Sequence, residues 1–172
     1  ISPLLTDYSN DIRLNEALFK RIKTVYDQRK TLSLTAEQQT LLEKTYKSFT
    51  RNGANLSLND KARLREIDKQ LATLKLKFSE NALAETQHYQ WVITDKNTLS
   101  WLPDFVLEML AQEAKKRNVQ GWVITLDLPV YTAVMKYADN RDLRQKLFTD
   151  YHSRCAGESA YNNEDNVLRI AQ

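Results

Sequence analysis

Apolar residues recur at intervals of three and four along most of this chain, the period of helices that bury one face. Leu4, Leu5, Tyr8 and Ile12 keep that spacing after Ser2-Pro3 and predict a first helix. Asn15 is placed to cap a second, in which Leu18, Phe19, Ile22, Val25 and Tyr26 share a face as far as about Arg29. Thr35 with Gln38 three positions on is a capping box, because each side chain reaches the other's backbone N–H. That box opens a helix with the stripe Leu41, Leu42, Thr45 and Phe49, closed by left-handed residues at Asn52-Gly53. Ser57 with Asp60 starts the longest segment, where Leu64, Ile67, Leu71, Leu74, Phe78 and Ala82 point to one buried stripe ending near Glu85.

The period then changes to two. Tyr89, Trp91 and Ile93 fall on one face of an extended run, and Trp122 to Leu126 is a second strand. Two strands alone are marginal, so helices must cover them, and base rates favour antiparallel pairing. Between them, Pro103 begins a helix carrying Phe105, Val106, Met109, Leu110 and Ala114, stopped near Asn118 and Gly121. After the second strand, Pro129 opens a short helix with Val130, Val134 and Tyr137. Asp139-Asn140 turns the chain into a last clear helix, Arg141 to Arg154, with Leu143, Leu147, Phe148 and Tyr151 inward. Val167, Leu168 and Ile170 begin a further stripe. The pattern predicts a mainly α fold: amphipathic helices packed around one core with a small two-stranded β element, residues 1–172 forming a single helical domain.

Composition narrows what such a fold can do. A length of 172 residues suffices to remove roughly 70% of the unfolded surface from water. With only three Gly and three Pro, long loops are not expected. The net charge is +3, but the basic run Lys61, Arg63, Arg65, Lys69, Lys75 and Lys77 is interleaved with Glu66, Asp68 and Glu80. Helical rotation scatters these charges over a solvated face, so no nucleic-acid partner is expected. No apolar run approaches the ~20 residues of a membrane span. Cys155 is the single cysteine and excludes an internal disulfide.

Candidate chemistry is sparse. Gly53, Gly121 and Gly157 are too scattered to cradle a phosphate, and Gly157-Glu-Ser159 lacks the second glycine of a hydrolase elbow. A zincin site needs two imidazoles one helical turn apart with a glutamate between them, whereas His88 and His152, the two histidines here, lie in different segments. His152 and Cys155 with Asp150 nearby have a spacing that could share a metal, but two firm ligands fall short of the usual three, and a surface role is the expectation. The residues nominate no catalytic, cofactor-binding or metal-ligating side chain.

The stretches Trp122-Val-Ile-Thr-Leu-Asp-Leu-Pro-Val-Tyr131 and Tyr137-Ala-Asp-Asn-Arg-Asp-Leu-Arg144 resemble the thimet oligopeptidase family of zinc metallopeptidases, in its bacterial peptidyl-dipeptidase (dipeptidyl carboxypeptidase) and oligopeptidase A branch. Ser9-Asn-Asp-Ile12, Asn15-Glu-Ala-Leu-Phe19, Tyr46-Lys-Ser-Phe49, Arg51-Asn-Gly-Ala54, Phe78-Ser-Glu-Asn81 and Val92-Ile-Thr-Asp95 extend the similarity in order along the chain. Thr132-Ala133 departs from it, since a proline is common there. The resemblance implies a non-catalytic N-terminal helical segment forming one wall of the channel that admits short peptides. It places the zinc ligands, the general-base glutamate and the groups that steady the tetrahedral intermediate downstream, in the remaining catalytic part of a parent chain. Zinc then belongs to that parent and none is bound here. The apolar positions Leu4, Leu5, Val167, Leu168 and Ile170 are expected to be open at cut ends, giving self-association. The expected location is the cytoplasm, with the periplasm as the alternative. Two rival readings are a freestanding helical protein-interaction module and an enzyme working through carboxylates alone.

Overall fold

A computed structural model describes residues 1–172. It contains eight α-helices and a two-stranded antiparallel sheet. In chain order these are α1 (Ser2–Arg13), α2 (Glu16–Asp27), α3 (Ala36–Arg51), α4 (Leu58–His88), β1 (Trp91–Ile93), a 3₁₀ turn (Lys96–Leu99), α5 (Asp104–Lys116), β2 (Trp122–Ile124), α6 (Leu128–Tyr137), α7 (Arg141–His152) and α8 (Glu164–Ala171). The chain divides into two compact units, Ile1–Leu76 and Lys77–Gln172.

In the first unit, local polar chemistry sets the helix starts. Asn15 accepts the Leu18 N–H at 2.9 Å, and Thr35 and Gln38 close the reciprocal box at 3.3 and 3.0 Å. Thr35→Ala is expected to cost about 1 kcal/mol, since the Gln38 N–H loses its acceptor; urea unfolding followed by circular dichroism checks it. Leu14, Phe19, Ala54 and Leu74 are buried, and the Phe19 ring lies 5.9 Å from Tyr46 and 6.2 Å from Phe49. At the end of α3 only Gly53 takes a positive φ, +90°, while Asn52 stays at −93°.

The stripes read from spacing are only partly covered. Leu4, Leu5, Tyr8, Leu41, Ile67 and Phe78 are exposed, so periodicity located their faces but not a partner for each. Lys61, expected on a solvated face, is 7% exposed. Its ammonium donates to Glu16, at the start of α2, at 3.1 Å, and burial of the charge requires such a partner. Arg65 pairs with Asp11 at 2.8 Å beside it.

The second unit holds the hydrophobic cluster. Trp91 pairs with Ile124, Val92 with Val123 and Ile93 with Trp122, in the antiparallel sense. Helix α5 packs on β2 and on α6, and α6 packs on α7. Ile93, Leu99, Leu102, Val106, Leu110, Ile124, Leu126, Val130, Val134, Leu143 and Leu147 close the core between them. Phe105 and Phe148, expected inward, are exposed. Each stands one position off the row its helix buries, Val106–Leu110–Ala114 in α5 and Leu143–Leu147 in α7. At the start of α6, Thr132 donates its hydroxyl to the Leu128 carbonyl at 2.8 Å and leaves the helix intact.

Candidate functional site

The two imidazoles are each committed locally. His88 ends α4 with Nδ1 2.7 Å from the Ala84 carbonyl, and since a carbonyl only accepts, that nitrogen carries the proton. Its ring lies 5.5 Å from Tyr161. His152 ends α7 inside an aromatic group, 4.1 Å from Phe148, with Nε2 3.4 Å from the Tyr131 hydroxyl. Tyr131 and Tyr151 stack at 3.9 Å, and the Arg154 guanidinium covers Tyr151 at 3.9 Å.

The trio His152, Cys155 and Asp150 does not converge on a common point. Asp150 takes the Tyr89 hydroxyl and the Lys146 ammonium. Burial, reinforced by the bond to Asp150, pushes the Tyr89 hydroxyl well above its ordinary value. The backbone N–H of Cys155 is given to Glu85. Burial first, and then Glu85, push the Cys155 thiol up to about 11, which opposes the thiolate that a metal requires. No three His, Cys, Asp or Glu side chains come together anywhere in the chain. As placed, His152, Cys155 and Asp150 do not form a zinc site.

What the second unit does build is a groove of about 950 Å³. One wall is the latter part of α4, with Phe78, Ala82 and Leu83; the other is α8, with Val167 and Leu168. Charged groups at its rim are engaged: Glu164 accepts the Gly157 N–H at 3.0 Å, and Arg154 donates to the Thr86 hydroxyl at 3.1 Å. Such a surface seats apolar side chains, and the one thiol on its lining, that of Cys155, is held protonated by the upward push just described. A smaller groove of about 500 Å³ lies in the first unit between α2 and α3, lined by Ile22, Val25, Leu34 and Leu42. Neither is visible in the sequence, where their walls are separate helical stripes.

No family model matches the chain. It is 28% identical over 156 residues to oligopeptidase A of Escherichia coli (strain K12), covering 91% of this chain and 23% of that protein. It is 30% identical over 170 residues to a probable cytosolic oligopeptidase A of Arabidopsis thaliana, covering 92% and 24%. To the dipeptidyl carboxypeptidase of Salmonella typhimurium it is 29% identical over 169 residues, covering 98% and 25%. The chain thus spans about a quarter of the length of the curated relatives it matches.

Proposed function

Because this chain is a homologue of oligopeptidase A and dipeptidyl carboxypeptidase, within the thimet oligopeptidase family, we propose that it serves as a non-catalytic, N-terminal helical segment of a zinc-dependent oligopeptidase. In that role it is one wall of a channel that admits short peptides. The observation that carries the reading is the extent of the similarity, which runs through 90% to 98% of this chain and only 22% to 25% of the oligopeptidase A and dipeptidyl carboxypeptidase relatives. Zinc is then held by residues outside this stretch. The side chains here supply shape.

Rigidity is what a wall needs, and the closed core of the second unit, with α7 capped by Asn140, supplies it there. Exposed Leu4, Leu5, Leu41, Val167 and Leu168 are apolar surface suited to contact with the remaining catalytic part of a parent chain. No helix is long and apolar enough to cross a membrane. A cytoplasmic location fits the relative named as cytosolic, although a second plant relative at 30% identity is named as organellar.

The test is direct. Purified 172-residue chain, given a quenched fluorescent peptide and excess zinc, is expected to show no turnover above buffer. Hydrolysis that a chelator abolishes would overturn the reading.

A further inference from the structure

Helix α8 is held in an unusual way. Its only buried residue is Asn166, while Val167 and Leu168 stay exposed, and it has no broad packing contact with another element. Residues 153–171 meet the latter part of α4 through the Tyr161 ring, 5.5 Å from His88, through the Arg154 bond to Thr86, and above all through two polar anchors. Asn163 donates Nδ2 to the Phe78 carbonyl at 3.0 Å, and its Oδ1 accepts from Asn81 at 2.9 Å and from Asn166 at 2.7 Å. Glu85 accepts the Cys155 N–H and the Ser159 hydroxyl, the latter at 2.9 Å.

At the Glu85 anchor the backbone is strained. Cys155 adopts φ +59°, a region that a residue with a Cβ occupies only when its surroundings hold it there. The holding bonds sit on both sides of it: Glu85 takes its N–H, and its carbonyl accepts the Asn163 N–H at 2.8 Å. Asn163 and Asn166 are buried, yet each of their hydrogen bonds contributes only modest net free energy, because opening returns both partners to solvent. Cys155 and the Tyr161 ring are the main apolar groups it would re-expose, far fewer than the core holds, so a segment fastened this way opens at lower cost than the core.

We propose that residues 153–171 form a strap, latched to α4 through Asn163 and Glu85, that opens as a unit while the core of the second unit stays folded. The groove between α4 and α8 exists only in the closed state, because Val167 and Leu168 leave with the strap. Opening also relieves Cys155 of its left-handed conformation and brings its thiol into water. Since this is the sole cysteine, it reports on the strap without interference.

The experiment is thiol labelling of the 172-residue chain with an aromatic disulfide reagent at pH 8. In the closed state the thiol, pushed up to about 11, yields little thiolate, and opening returns it to the ordinary range near ~8.5. The wild-type rate is expected to be flat at low urea and much faster than global unfolding permits. Asn163→Ala removes three side-chain bonds and is expected to raise the rate roughly tenfold to a hundredfold, the equivalent of one or two net hydrogen bonds. The unfolding midpoint followed by tryptophan fluorescence should hardly move, and Val167→Ala, which spares the latch, should label like wild type. Labelling that follows global unfolding in its urea dependence, or an Asn163→Ala rate equal to wild type, overturns the strap. Should Asn163→Ala fail to fold, the wild-type urea dependence decides the matter alone.

Discussion

Gly121→Ala is expected to lower the stability of the second unit by roughly 3 kcal/mol or more, the sum of a left-handed backbone penalty and an overpacking penalty. Gly121 has φ +95°, and a Cβ placed there would stand 2.3 Å from the carbonyl oxygen of Ile93. That oxygen belongs to β1, so the clash cannot be relieved by turning a side chain. It would push the two strands apart where Ile93 faces Trp122, beneath the core that α5 closes. All three tryptophans, Trp91, Trp101 and Trp122, lie in the second unit, so fluorescence in a urea titration reads this change without interference from the first. Gly121→Asn separates the two causes. Asparagine tolerates positive φ but carries a Cβ, so it should be nearly as damaging as alanine; a mild effect from it would assign the loss to backbone conformation instead.

The same position shows how far sequence reasoning reaches. Gly121 reads as a helix stop from its neighbours, and the structure places it after α5 as expected. The close approach of β1 that makes a glycine necessary is a tertiary fact with no local signature. Caps were legible for the opposite reason: Asn15, Thr35 with Gln38, and Ser57 with Asp60 act within four residues, and all three bonds form. Antiparallel pairing of the two short strands also agrees with expectation. Apolar periodicity was weaker evidence. It groups residues on one face of a helix but does not say whether another element covers that face, which is why Ile67 and Phe78 emerge exposed. Of that stripe Leu74 is buried as expected, and with it the long helix buries Lys61, which no hydropathy pattern would select. The groove and its latch were hidden for a related reason. Asn163 looks like one more turn former, and only the return of the chain onto α4 places its amide between Phe78, Asn81 and Asn166.

Leu110→Ala should be the other severe substitution, costing about 3 to 5 kcal/mol. Leu110 is 0% exposed and stands where α5 meets β2 and α6, so its truncation leaves a cavity that three elements would have to move together to fill. A loss of that size is a large share of the about 5 to 15 kcal/mol by which domains are stable, and it lowers Tm by about 4–8 °C per kcal/mol in a unit of this size. Two companions make the result interpretable. Leu110→Met keeps the volume and should cost less than about 1.5 kcal/mol, so it remains measurable if alanine abolishes folding. Phe105→Ala changes a larger side chain on the same helix, but Phe105 is 59% exposed and makes only an edge contact with Tyr137 at 5.6 Å. It should cost about 1 kcal/mol or less. If Phe105→Ala were as damaging as Leu110→Ala, α5 would be rotated from the orientation described, and the exposed aromatic face now offered to a neighbour would instead be core. The contrast therefore checks both the packing of α5 and the supply of open apolar surface on which the proposed wall role depends.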